Sequence, residues 1–229
     1  MGGALLVCPA VASMARDDAK GNLWLAKELW DLGAVQFGEY NVGRTINSPI
    51  YLNPRLLVSN PMALGRVARV IKEETETMLS LRNPTVSPFS LVAGVPFGGL
   101  HLATAFSLAT KVPLIYLHPR KDGAGNVIEG NYLPGQTVLV IDDLITGGTS
   151  VVETTQELRA AGLLVRDAIV LLDRRQKGRE RLRGHGVSLH ALLDIETLLN
   201  YLMSHGKITE DDYRRSIDYL ANPQRHEDV

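Results

Sequence analysis

The chain has 229 residues, 45% of them hydrophobic and 21% charged, enough for one α/β domain with a substantial core. Lys plus Arg number 24 and Asp plus Glu 25, a formal net charge of -1, so the bulk charge points to neither a nucleic-acid surface nor a polybasic membrane contact. A single cysteine, Cys8, excludes an internal disulfide and a multi-cysteine zinc site, and no apolar run approaches a membrane-spanning length.

Ala4 to Ala15 is mildly apolar but lacks the positively charged leader of a signal peptide, and Met14 offers a second start. Residues 1–18 are therefore expected to be an extra or disordered N-terminus, with the cytoplasm as location. Leu23, Trp24, Ala26, Leu29, Trp30 and Ala34 mark one face of a helix over Asn22 to Val35, with Asn22 as its N-cap. Val35 to Tyr40 and Ser48 to Leu52 read as short strands around a turn, closing a first unit over residues 19–60.

Asn60-Pro61 opens a helix through Met62, Val67, Val70, Ile71 and Met78, and a two-proline loop follows from Leu81 to Pro88. Apolar strands then alternate with helices. Strands are expected at Phe89 to Val95, Val112 to Leu117, Gln136 to Ile141 and Leu163 to Leu172. Helices follow Gly98-Gly99 and Gly147-Gly148. The alternation predicts an open, mostly parallel sheet flanked by helices over residues 61–190. Helices near Ile195 to Ser204 and Thr209 to Leu220 complete residues 191–229. Pro119 to Gly130, with three glycines and four charges, reads as a long mobile lid.

Chemistry concentrates between Val138 and Ser150. A hydrophobic strand ends in Asp142-Asp143, followed by Leu144, Ile145, Thr146, Gly147, Gly148, Thr149 and Ser150, and then an amphipathic helix. In open α/β sheets, ligands bind beyond the carboxyl ends of strands. The glycines let backbone N–H groups approach an anion, the helix adds its positive N-terminal dipole, and the hydroxyls add donors. The stretch is neither a Walker loop nor a dinucleotide fingerprint. Two carboxylates beside a phosphate cradle need another purpose, and the vicinal hydroxyls of a sugar supply one. Together these residues read as a ribose 5-phosphate site.

This stretch resembles the phosphoribosyl-pyrophosphate (PRPP) signature of the type I phosphoribosyltransferases. Within them the chain resembles the orotate phosphoribosyltransferase family. Phe37-Gly38-Glu39-Tyr40 with Ser48-Pro49-Ile50-Tyr51 resembles that family's small N-terminal hood, and Gly94 to Leu100 its first ligand loop. Ala168 to Arg174 resembles the strand whose arginine holds the orotate carboxylate. The resemblance implies transfer of the phosphoribosyl group from PRPP to orotate, giving orotidine 5′-monophosphate in pyrimidine (UMP) biosynthesis.

It further implies Phe97, Gly98 and Asp142 to Ser150 on PRPP, and Ile50, Tyr51, Thr146 and Arg174 on the base. Arg120, Lys121, Asp142 and Asp143 would be catalytic. Mg²⁺ would be held mainly by PRPP, with Asp142 or Asp143 through water. A homodimer sharing the lid is implied as well, with no nucleic-acid or membrane partner. Arg174 suits its role because a guanidinium forks onto a planar carboxylate. Arg175 and Arg179 read as solvated charges, and His101 as partly buried structure.

The pattern departs at Gly43, where a basic residue is usual and Arg44 stands beside it. It departs again at Gly98, where a lysine is common, and in the lid, where Leu117-His118 stands in place of the usual Arg-Lys pair ahead of Lys121-Asp122 and Gly123 in place of the usual aromatic or His. A phosphoribosyltransferase for another base, or a non-catalytic PRPP-binding regulator, remains open on the same motif.

Overall fold

The structure of the protein is a computed structural model that describes residues 22–42, 45–119 and 126–222. The expectations for residues 1–18, Gly43, Arg44, Arg120 and Lys121 lie outside the described residues. Helix α1 (Leu23–Asp31) buries Trp24, Ala26 and Leu29 of the face marked by the apolar spacing, and Leu25 beside them, while Leu23 and Trp30 are half-buried. Asn22 stands before it without capping it. Its φ is 52°, and its side-chain amide donates to the Leu192 carbonyl at 3.0 Å, tethering the helix to the sheet.

Strands β1 (Val35–Val42) and β2 (Thr45–Leu52) pair antiparallel as the hood ribbon. A 3-10 helix at Pro54–Ser59, which the sequence reading omits, leads to α2 (Pro61–Ser80). There the Asn60 side chain accepts from the Ala63 N–H at 3.1 Å, and Pro61 sits in the first turn.

The main sheet contains β3 (Leu91–Gly94), β4 (Leu114–Pro119), β5 (Asn126–Glu129), β6 (Thr137–Ile145), β7 (Leu164–Asp173) and β8 (Ser188–Asp194). Their spatial order is β5-β4-β3-β6-β7-β8. All neighbours are parallel except β4 and β5. Along β6, Val138 and Val140 enter one core cluster while Leu139 and Ile141 enter the other, so the strand is buried on both faces. Helices α1, α2, α3 (Gly98–Thr110) and α6 (Ile195–Ser204) cover one face. Helices α4 (Thr149–Ala160) and α5 (Gly178–Gly184) cover the other. Helix α7 (Glu210–Ala221) starts in a capping box between Thr209 and Asp212 and packs on the hood.

Three expectations need correction. Pro119 to Gly130 is not all loop, because Val127 and Ile128 pair with His118 and Leu117 as an antiparallel edge strand. β6 does not end at Ile141 but runs to Ile145, because β7 continues to offer backbone partners there. β8 and α5 were not anticipated. In β8 the polar ring of His190 interrupts the apolar run, and it lies 3.2 Å from the buried Asp167 carboxylate.

Candidate functional site

Side chains alternate along a strand, so continuing β6 through its carboxylates turns them toward different neighbours. Asp142, paired with Val170, is 6% exposed and lines a cavity of about 430 Å³. Asp143 faces the first ligand loop, where a Cβ on Gly98 would stand 2.3 Å from its Oδ1. The Asp143 N–H donates to Asp142 Oδ1 at 2.8 Å. Burial pushes the Asp142 carboxyl well above the usual range, and the adjacent Asp143 charge adds to it. The Asp143 N–H pulls the other way without cancelling the effect.

Past β6 the chain turns through Thr146, Gly147 and Gly148 into the N-terminus of α4. Gly148 has φ 78°, and a Cβ there would meet Leu182 of α5 at 2.7 Å. A Cβ on Gly147 would meet nothing within 4 Å, so this backbone is open to the cavity it lines. Thr149 Oγ1 accepts from Arg181 of α5, which adds a cation to the same wall. Open backbone, helix N-terminus, hydroxyls and guanidinium together form an anion site.

The hood supplies the facing wall. Buried Ser48 donates from Oγ to the Ile50 carbonyl at 2.7 Å, fixing the strand that carries Ile50 and Tyr51. The Tyr51 ring stacks on Tyr40 at 5.4 Å. At the end of β7 the Arg174 N–H donates to the Ile145 carbonyl at 3.0 Å, which holds Arg174, 7% exposed, in the cavity lining.

One cavity therefore gathers Ile50, Tyr51, Asp142, Leu144, Ile145, Thr146, Gly147, Gly148, Thr149, Ser150 and Arg174. Phe97, Gly98 and Asp143 are not in its lining. The Pro96–Phe97 peptide is cis and Phe97 is 76% exposed. Glycine at 98 and 99 lets this loop press against β6, since a Cβ on Gly99 would stand 2.1 Å from the Ile141 carbonyl oxygen. His101 is partly buried as expected, and burial lowers its pKa against the pull of Asp143.

Tyr40, Arg55, Gln176 and Arg181 also line the cavity and were not assigned to it from sequence. Gln176 had no sequence signal, because β7 ends at Asp173 and the intervening Arg175 has φ 53°, so strand alternation does not carry through to it. Arg175 and Arg179 are half-exposed but not simply solvated. Arg175 pairs with Asp194 and Glu196, and Arg179 pairs with Asp173 and donates to the Leu189 carbonyl.

A Gly-rich helix N-terminus past the carboxyl end of a parallel strand, with a buried carboxylate in that strand, defines a phosphate-binding α/β protein. The phosphoribosyl transferase domain model matches residues 57–189. Orotate phosphoribosyltransferase of Chlamydia pneumoniae is 33% identical over 206 residues, covering 87% of this chain and 92% of that one. The bovine uridine 5′-monophosphate synthase is 36% identical over 193 residues, covering 83% of this chain but 39% of that protein.

Among solved structures, Aeropyrum pernix orotate phosphoribosyltransferase superposes with a TM-score of 0.66 at 30% identity, covering 78% and 99% of the two chains. Leishmania donovani UMP synthase gives 0.77 at 31% identity, covering 93% of this chain and 45% of the other. The chain thus spans less than half of both UMP synthases. It belongs to the orotate phosphoribosyltransferase family of the phosphoribosyltransferases.

Proposed function

We propose that the protein transfers the 5-phosphoribosyl group from PRPP to orotate, releasing pyrophosphate and forming orotidine 5′-monophosphate. The observation that carries this is the meeting, in one cavity, of the 146–150 turn, Asp142, the hood strand and Arg174. The turn and the α4 N-terminus receive the 5′-phosphate, with Arg181 behind Thr149. Asp142 accepts from the ribose hydroxyls, and Asp143 serves the ribose from the side of the Gly98 loop. Arg174 forks onto the orotate carboxylate, while Ile50, Tyr51 and Thr146 flank the ring.

The C1′–oxygen bond breaks with its electron pair leaving on pyrophosphate, and the orotate nitrogen bonds to C1′. Holding the two substrates in line supplies much of the rate, and the developing charge needs cations around it. Arg120 and Lys121 of the lid, with Phe97 and Gly98 beside the leaving group, complete the proposed machinery.

Among the described residues no group of three His, Cys, Asp or Glu side chains stands ready to hold a metal. Adjacent Asp142 and Asp143 nevertheless fit Mg²⁺, an ion that keeps waters and takes few protein carboxylates beside substrate phosphates. When bound, it neutralises charge on the pyrophosphate. A cytoplasmic location and a homodimer that shares the lid belong to the same proposal. Among the described residues no helix is long and apolar enough to cross a membrane.

Steady-state kinetics of two variants test the site. Asp142→Asn combined with Asp143→Asn is expected to raise the KM for PRPP. Arg174→Ala is expected to raise the KM for orotate by about ten- to a hundredfold, the worth of a charge-assisted hydrogen-bond pair. Unchanged constants in both variants would refute these assignments.

A further inference from the structure

We infer that Gln176 is a specificity-determining residue that reads the polar edge of the base. This rests on the transferase reading above and adds a residue to it. Gln176 is 7% exposed and lines the cavity together with Arg174. A buried carboxamide normally has its donors and acceptor satisfied by the protein. Among the described residues no hydrogen bond engages that of Gln176, and its polar atoms are not among the enclosed unpartnered ones, so the carboxamide opens to the cavity.

The backbone around it is held in an unusual form. Arg175 and Lys177, on either side, both adopt the left-handed region, with φ 53° and 65°. Side chains other than glycine enter that region at a cost, and surrounding contacts must hold them there. Here those contacts are visible. The buried Asp173 carboxylate accepts from the Arg175 N–H at 2.7 Å. The Arg175 guanidinium is drawn outward to Asp194 and Glu196, at 3.3 and 3.1 Å. The turn thus sends Arg175 away from the cavity and leaves Gln176 in its lining.

Chemistry selects the ligand group. The phosphate end already carries Arg181, hydrogen-bonded to Thr149. An anion accepts only, so it would leave the amide oxygen of Gln176 without a donor. A pyrimidine edge that sets a ring carbonyl beside a ring N–H matches the donor and acceptor of one carboxamide. Gln176 also lines the same cavity as Arg174, the proposed carboxylate anchor.

The test is steady-state kinetics of wild type, Gln176→Met and Gln176→Glu, with orotate and with an orotate analogue whose ring carbonyl oxygen is replaced by sulfur, a poor acceptor. Gln176→Met is expected to raise the orotate KM by about five- to tenfold, the worth of one hydrogen bond, while the PRPP KM stays within about twofold. It should also shrink the wild-type preference for orotate over the thio analogue. Gln176→Glu, similar in size, should raise the orotate KM further by repelling the carboxylated base. The thermal shift induced by PRPP should be retained, which reports a folded site.

An unchanged orotate KM in Gln176→Met, or a rise confined to the PRPP KM, would overturn the assignment. If the wild type consumed no orotate, the orotate reading would fall, and this inference with it.

Discussion

Asp142 destabilises the empty fold when it ionises. Its folded-state pKa is raised by burial, with Asp143 adding to the effect, above the ordinary value of 3.8. Below the unfolded-state value both states are protonated and nothing is lost. As pH rises through the gap the unfolded chain sheds its proton first, and the folded state is penalised from there upward. Asp142→Asn removes that penalty and keeps the side-chain oxygen that accepts from the Asp143 N–H.

The variant should therefore melt higher than wild type near neutral pH, with the difference closing toward about pH 4. Each kcal/mol gained is worth about 2–4 °C in a chain of this size. Thermal unfolding of both proteins between about pH 4 and pH 8 checks this. Equal or lower melting of the variant at neutral pH would contradict it. Asp142 and Arg174 were legible in the sequence because each stands where charge breaks a long apolar run, close to the carboxyl end of a parallel strand. Gln176 was not legible, because its facing depends on two left-handed residues that no composition signal announces.

Glycines of two kinds build the elements of the site. Gly99 is required by packing, since its Cβ would stand 2.1 Å from the Ile141 carbonyl oxygen. Gly147 is open, with nothing within 4 Å of its Cβ position. Gly99→Ala should cost about 1–3 kcal/mol of stability, because backbone, and not a flexible side-chain tip, must yield. Gly147→Ala should leave stability within about 0.5 kcal/mol of wild type and raise the PRPP KM by crowding the approach of the anion. Denaturant unfolding and steady-state kinetics of the pair separate the two effects. Equal stability losses in both variants would contradict this distinction.

Elements carried by continuous apolar runs were legible from sequence in kind, β7 nearly in extent as well, while β6 runs on through its carboxylates to Ile145. α5 was not, because Gly178 to Gly184 is mostly charged and only Leu182 anchors it in the core. β8 was hidden by His190, whose polarity is answered by Asp167 on the neighbouring strand. Both omissions come from polar groups satisfied across the fold, which a local reading of the chain does not detect.

At the scale of the whole molecule, the hood is a cavity wall held by the end of the chain. α7 packs on β2, and the Tyr219 hydroxyl donates to the Ile46 carbonyl at 2.9 Å. α1, which leads into the hood, is tied to β8, an edge strand of the main sheet, through Asn22 and Leu192. The cavity thus lies between a parallel-sheet core, which offers the 146–150 turn and the α4 N-terminus, and a ribbon braced by distant segments, which offers Ile50 and Tyr51. The Chlamydia pneumoniae relative matches this chain over 92% of its own length, while in the bovine synthase the matching part is 39% of the protein.

The most direct measurement incubates the purified protein with PRPP, Mg²⁺ and a panel of nucleobases and follows each base and pyrophosphate. Orotate should disappear with orotidine 5′-monophosphate and pyrophosphate appearing in equal amounts. Turnover of a different base with orotate untouched, or PRPP binding with no turnover of any base, would contradict the orotate phosphoribosyltransferase reading.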